Sequence, residues 1–336
     1  MMNTDEARSQ KMAIDPARTG FADAAGGPHR RCDFATAGEL RVIATAGFPD
    51  YALIDSGDGR KLERFGRFTV ERPELQALWR PRLEPGVWLR AEATFKASGA
   101  DDEGEGGRWR TGAPIPETWP LRVLDVTMLC RLTNFRHLGI FPEQLPHWEW
   151  MTGWLRGGGR PQRVLNLFAY TGAASLIAAK AGAEVTHVDA SRKAIAWAKQ
   201  NQAVSRLDAA PVRWILDDAR KFVAREVRRG NRYHLILIDP PKFGRGPNGE
   251  EWDVFAHLAP LLRDCAQLLA QGRAALILTT YAIRASALAT DGLVRECLAG
   301  RGGSTESGEL AVIEQAGGRL LPTSLFTRWM CDETSL

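Results

Sequence analysis

The stretch from Arg163 to Asp189, RVLNLFAYTGAASLIAAKAGAEVTHVD, constrains this chain more than any other. It opens on a short apolar run, Val164 to Phe168, set between Pro161 and Gly172, which reads as a buried parallel strand. A tight turn, Ala169-Tyr170-Thr171-Gly172, follows. Small and apolar residues from Ala173 to Ala181 then recur at helical spacing and stop at Gly182, a C′ position. A second strand, Glu184 to Val188, ends on Asp189. The pattern is a βαβ unit with a glycine in the turn after its first strand and a carboxylate closing its second. Such a unit suits an adenosine-type ligand: the backbone approaches it at the glycine, and Asp189 accepts hydrogen bonds from ribose hydroxyls. The plain alternative is a βαβ core unit with no ligand.

The details of the turn select among ligands. A dinucleotide would call for G-x-G-x-x-G, so that a helix N-terminus can approach a pyrophosphate. Only Gly172 is present here, and no Gly-Lys-Ser/Thr follows for a nucleoside triphosphate. S-adenosylmethionine carries no phosphate and needs no such cradle. The run N-L-F-A-Y-T-G-A-A-S, Asn166 to Ser175, resembles the first motif of class I S-adenosylmethionine-dependent methyltransferases, in the variant found in a ribosomal-RNA methyltransferase family. That family also has D-P-P-K-F, found here at Asp239 to Phe243, and the resemblance extends over residues 130–330. One departure stands out: Asn166 occupies a position where many class I enzymes carry an acidic residue.

The resemblance implies an α/β fold with a Rossmann-like class I methyltransferase sheet and S-adenosylmethionine as cofactor. It implies cofactor contacts at Asn166, Phe168, Tyr170, Thr171, Gly172 and Asp189. In this class an Asp after the third strand accepts from the adenine amino group, and Asp218, followed by Ala219 and Arg220, matches better than Asp217. Either residue could instead cap the next helix. The family also places a glycine, aromatic and acid-Gln element before the catalytic domain, which singles out Glu143 and Gln144. The competing reading of Phe135 to Trp150 is a capping helix, with Glu143 near its start and Trp148 and Trp150 buried.

Composition bounds the rest. A chain of 336 residues with 44% apolar and 25% charged residues suits a soluble protein of two domains. No run is long and apolar enough for a membrane span, and no signal-peptide core opens the sequence. The five cysteines (Cys32, Cys130, Cys265, Cys297 and Cys331) include no C-x-x-C pair, which favours a reducing cytoplasm over zinc or disulfides. The net charge of +4 permits a nucleic-acid partner without requiring one. Most of the eleven tryptophans should be core or domain contacts.

In chain order, residues 1–32 read as a flexible extension in which Arg30 and Arg31 are solvated or touch a phosphate, 33–130 as a small β-rich domain, and 131–336 as the methyltransferase domain. The small domain should carry strands at Tyr51–Asp55, Lys61–Phe65, Arg67–Glu71 and Trp88–Phe95, with an exposed acidic loop from Ser98 to Gly107. His137 and His147 are spaced too irregularly for a metal pair. Ser191 should cap a helix with Ala194, Ile195, Ala198 and Val204 on its buried side, before a strand at Val212–Leu216. A fourth strand, Tyr233 to Ile238, should deliver Asp239-Pro240-Pro241-Lys242-Phe243 to the carboxyl edge of the sheet, where ligands bind. Asp239 and Pro240 would hold the acceptor there and Phe243 would offer it a planar face; Lys242 either meets a phosphate or a developing charge or is simply solvated, and Arg245 either contacts phosphate or lies on the surface. Gly244 to Gly249 reads as a mobile loop before a helix Glu251–Ala270, a strand Ala274–Thr280, and a closing hairpin of Glu309–Glu314 with Thr323–Trp329.

The expectation is therefore a methyltransferase acting on RNA, ribosomal RNA first, by direct transfer to a base nitrogen. No cysteine stands after the fifth strand or in the D-P-P segment, where a carbon-methylating enzyme needs a thiolate nucleophile. Two rivals differ in class: a methyltransferase acting on a protein or small molecule, and a non-catalytic RNA-binding protein that keeps the pocket. No metal and no membrane partner are expected, and the oligomeric state is left open.

Overall fold

The computed structural model describes residues 39–98, 106–158, 161–281 and 283–332. The expected extension at 1–32 and most of the expected acidic loop lie outside them. The first strand, β1 (Arg41–Thr45), pairs in parallel with a strand near the end of the chain, although it falls inside the stretch read as the β-rich domain. Strands β2 (Tyr51–Gly57), β3 (Arg60–Phe65) and β4 (Phe68–Pro73) then form a meander. The β2–β3 turn is Asp58-Gly59 with both residues at positive φ, the geometry that matches strand twist in a two-residue hairpin.

The expected strand Trp88–Phe95 is corrected. Pro85 stands at the first position of a one-turn helix, α1 (Pro85–Trp88), and the strand begins later, as β5 (Ala93–Ala97). A proline there has its φ already set for a helix and gives up an N–H that would be unpaired anyway. β6 (Gly107–Thr111) completes a five-stranded sheet, and β7 (Trp119–Val123) with β8 (Val126–Cys130) forms a separate ribbon.

Helix α2 (Leu145–Arg156) leads into the main sheet. There β9 (Arg163–Leu167), α3 (Ala173–Lys180), β10 (Glu184–Asp189), α4 (Arg192–Val204), β11 (Val212–Leu216), α5 (Ala219–Arg228) and β12 (Leu235–Ile238) alternate as expected. Ser191 caps α4 by accepting from the Ala194 N–H, but Val204 is exposed rather than on the buried side. The next segment departs from expectation. β13 (Phe243–Arg245) and β14 (Glu251–Asp253) pair as a small hairpin, so helix α6 (Val254–Leu268) starts only after Asp253, whose carboxylate accepts from the Phe255 and Ala256 N–H groups. β15 (Ala274–Tyr281), α7 (Ala287–Cys297), β16 (Ser304–Ile313) and β17 (Leu320–Cys331) finish the chain.

The main sheet runs β1-β16-β17-β15-β12-β9-β10-β11, with β17 antiparallel to both neighbours. Its central strands β9, β10, β12 and β15 are buried on both faces, whereas the edge strands β1 and β11 are only partly covered. Val164 packs with Trp148 and Met151 of α2, while Leu165 and Leu167 pack with Phe222, Leu258 and Leu262 of α5 and α6. The small sheet is fastened to the β16–β17 hairpin by ions. Arg319 donates to Asp55 Oδ1 at 3.2 Å and to Glu314 Oε2 at 2.8 Å, and both carboxylates are fully buried. Among the described residues no helix is long and apolar enough to cross a membrane.

Candidate active site

The glycine turn bends sharply to bring its backbone to the sheet edge. Phe168 (φ +55°) and Tyr170 (φ +48°) both adopt the left-handed region, as does Gly172 (φ +88°) at the start of α3. Two non-glycine residues in that region store roughly 1–3 kcal/mol each, held by surrounding contacts. The contacts are visible. The Tyr170 N–H donates to Asp189 Oδ2 at 2.8 Å, and the Ser191 N–H donates to Oδ1 at 2.7 Å. Thr171 Oγ1 donates to the Gly139 carbonyl, and Asn201 Nδ2 donates to the Thr171 carbonyl at 2.9 Å. Burial pushes the Asp189 carboxyl above its ordinary range, against the pull of those two N–H donors. Asp189 also lines the cavity of this site.

Asp217 and Asp218 follow β11. Asp217 accepts from the Asp218 N–H and pairs with Arg225, so both its oxygens are engaged. Asp218 caps α5 through Oδ1, which accepts from the Lys221 N–H at 3.0 Å. Its Oδ2 carries no hydrogen bond among the described residues. Capping and a free acceptor thus coexist in one side chain.

β12 delivers Asp239 to the carboxyl edge beside β9. The turn after it is pinned by the Trp252 Nε1–H donating to the Pro241 carbonyl at 2.7 Å and the Val254 N–H donating to the Lys242 carbonyl at 3.0 Å. Gln144, in a short turn of 3-10 helix (Pro142–Gln144), donates from Nε2 to Asp239 Oδ2 at 3.3 Å, and Thr279 Oγ1 lies 3.5 Å from Gln144 Oε1. Burial, and then the neighbouring Glu143 carboxylate, push the Asp239 carboxyl up to about 7. Glu143 is itself 8% exposed, and burial raises its pKa. The charges of Lys61, Arg72 and Glu63 in the small sheet also act on Glu143, and with Tyr51 and Glu74 they form a largely buried ionic cluster. In it the Tyr51 hydroxyl donates to Glu63 Oε1 at 2.8 Å, and Lys61 lies 3.0 Å from Glu74 Oε2.

The turns after β9, β10, β11 and β12, together with Glu143 and Gln144, line one cavity of about 450 Å³. It brings together Glu143, Gln144, Asn166, Phe168, Tyr170, Thr171, Gly172, Asp189, Asp218, Asp239 and Pro240. Phe243 is the exception. Pairing with Asp253 turns it outward at 60% exposure, away from the lining, with the Lys242 ammonium 5.5 Å from its ring centroid. The planar faces in the cavity come from the expected Phe168 and Tyr170, from Phe141 of the aromatic and acid-Gln element, and from Tyr281 and Trp252, which were not among the candidates. Tyr281 lies 6.4 Å from Phe141, which lies 5.7 Å from Tyr170, and Trp252 lies 4.7 Å from Phe168. An aromatic at the very end of β15 was the signal for Tyr281. Of the two histidines weighed as metal ligands, His147 packs on Phe326 and His137 on Phe141. The cavity offers carboxylates and aromatic faces, which fits the hydroxyl and amino donors and the flat ring of an adenosine.

Comparison with known proteins gives the same direction. A family model described as S-adenosylmethionine-dependent methyltransferase matches residues 101–302. A crystal structure of a SAM-dependent methyltransferase from Agrobacterium tumefaciens is 51% identical, covers 86% of this chain and 93% of its own, and superposes with a TM-score of 0.83. The ribosomal RNA large subunit methyltransferase I of Aeromonas hydrophila is 29% identical over 64% of this chain and 57% of its own length. The ribosomal RNA large subunit methyltransferase K/L of Hahella chejuensis is 35% identical over 42% of this chain and 19% of its own. The chain therefore spans well under two thirds of either ribosomal RNA enzyme.

Proposed function

This chain belongs to the S-adenosylmethionine-dependent methyltransferase family, and we propose that its acceptor is a nitrogen of an RNA base, with ribosomal RNA the first substrate to test. S-adenosylmethionine, when bound, supplies an electrophilic methyl on sulfonium. On this reading Gly172 and the strained Phe168–Tyr170 backbone receive the cofactor. Asp189 accepts from its ribose, Asp218 Oδ2 from its adenine amino group, and Asn166 meets its amino-acid tail. The RNA assignment draws on the two ribosomal RNA relatives.

The observation that carries the nitrogen reading is the state of Asp239. It stands in the cavity with Oδ2 held by Gln144, and Oδ1 has no hydrogen bond among the described residues. Oδ1 and the Pro240 carbonyl can accept hydrogens from an amino or ring N–H and aim the nitrogen lone pair. Positioning of this kind supplies much of the acceleration when the nucleophile is already competent. No cysteine is among the described residues that line the cavity, so a covalent adduct to pyrimidine carbon has no thiolate to form it. Tyr281 and Phe141 take over the stacking role first assigned to Phe243.

The test is transfer of tritiated methyl from S-adenosylmethionine to total RNA from a strain lacking the gene, followed by nucleoside mass spectrometry. Ribonuclease-sensitive label in an N-methylated nucleoside is expected. Label in protein, or in a 5-methylpyrimidine, would overturn the reading.

A further inference from the structure

Beneath the cofactor end of the cavity lies a buried chain of three polar side chains, of which the proposed function uses only Asn166. Asn166, 4% exposed and part of the cavity lining, donates from Nδ2 to Ser175 Oγ at 2.9 Å. Ser175 Oγ lies 3.0 Å from His187 Nδ1, and both Ser175 and His187 are fully buried. His187 Nε2 has no hydrogen-bond partner among the described residues, and its ring lies 4.6 Å from that of Trp214.

With the amide nitrogen of Asn166 set against Ser175, donor and acceptor capacity sets the direction of the rest of this chain. An amide nitrogen only donates, so Ser175 Oγ is the acceptor of the first bond. Its single hydrogen then points to His187 Nδ1, which must be bare, and the ring proton sits on Nε2. Burial drives the His187 pKa down to about 3, so the imidazole stays neutral and the direction does not change with pH in the physiological range.

We infer that Ser175 and His187 are positioning residues for the cofactor: by engaging the amide nitrogen of Asn166 they turn its Oδ1 to the cavity, as an acceptor for the ammonium of the cofactor's amino-acid tail. The inference rests on the proposed placement of that tail beside Asn166. It also gives a physical role to an amide, rather than an acid, at this position. An amide rotated by 180° would present NH2 to an ammonium, donor against donor, so a neutral residue serves here only if its rotation is fixed. With the His187 proton on Nε2, the relay selects this rotation without burying a charge.

Two measurements test this. In ligand-free protein, nitrogen-15 NMR of the imidazole of His187, assigned with His187→Gln, should find the proton on Nε2. Asn166→Asp should move it to Nδ1, because a carboxylate only accepts, so Ser175 must donate to it and His187 must donate to Ser175. A proton on Nδ1 in the unmodified protein overturns the relay. The second measurement is calorimetry with S-adenosylhomocysteine and with 5′-methylthioadenosine, which lacks the amino-acid tail. Ser175→Ala should weaken the first about tenfold, or ~1.4 kcal/mol, and leave the second unchanged. Equal loss for both ligands assigns Ser175 to packing and overturns the inference. Asn166→Ala with undiminished S-adenosylhomocysteine affinity overturns the placement of the tail, whereas the NMR result reports on the relay separately.

Discussion

Gln144 Nε2 donates to Asp239 Oδ2 at 3.3 Å across a sequence separation of 95 residues. The amide N–H favours the ionised carboxyl, while burial and Glu143 disfavour it. As an acceptor, Asp239 works ionised, so methyl transfer should rise with pH through about 7. Gln144→Met removes the donor and should move this acid limb to higher pH. A pH profile of kcat/KM checks it, and an unmoved limb would mean that Gln144 does not act through Asp239.

The same carboxyl makes stability depend on pH. Its folded pKa of about 7 lies above the unfolded value. The folded state therefore keeps a proton that the unfolded state has released. The associated stability is full below an unfolded pKa of about 3.9 and is lost as pH rises through the folded value. Asp239→Asn abolishes this loss, so its melting temperature should gain on the parent between about pH 5 and about pH 8. Parallel curves would contradict the buried, titrating Asp239.

Asp189→Ala should weaken S-adenosylhomocysteine binding by about 1–3 kcal/mol through lost ribose hydrogen bonds. It also removes the acceptor of the Tyr170 N–H at 2.8 Å and leaves a positive-φ residue less well held. Calorimetry showing parental affinity in this variant would remove Asp189 from the cofactor site.

Two glycines at positive φ should respond differently to alanine. At Gly139 (φ +106°) a Cβ would meet the Trp197 ring at 2.3 Å, whereas at Gly182 (φ +94°) it would meet nothing. Gly182→Ala should cost about 1–2 kcal/mol of backbone strain, and Gly139→Ala the same plus roughly 1–3 kcal/mol of overpacking. Denaturant titration separates them. Gly139→Ala should also reduce cofactor affinity, since the Gly139 carbonyl accepts from Thr171 in the glycine turn.

Replacing all five cysteines by serine or alanine should preserve methyl transfer. Cys130, Cys265 and Cys331 are buried and Cys297 is partly buried, and burial raises the thiol pKa of Cys130, Cys265 and Cys297. RNA containing 5-fluorocytosine should yield no covalent complex, and a trapped adduct would refute direct transfer to nitrogen.

The βαβ unit, the glycine turn and Asp189 were legible in the sequence because their geometry is set within one short stretch. Apolar runs at strand length, a helix stopped by Gly182 and a carboxylate at the next strand's end need no distant partner to be recognised. The same holds for Asp239, which the strand before it delivers to the carboxyl edge. Phe243 was misplaced because its direction depends on pairing with Asp253, which only the folded hairpin fixes. The partnership of Gln144 with Asp239, the entry of β1 into the main sheet and the relay from Asn166 to His187 were likewise invisible. Each depends on how separate elements pack. Short-range pattern tells which face of a strand or helix is buried, but which side chain meets which across that face is decided by close packing of the whole core.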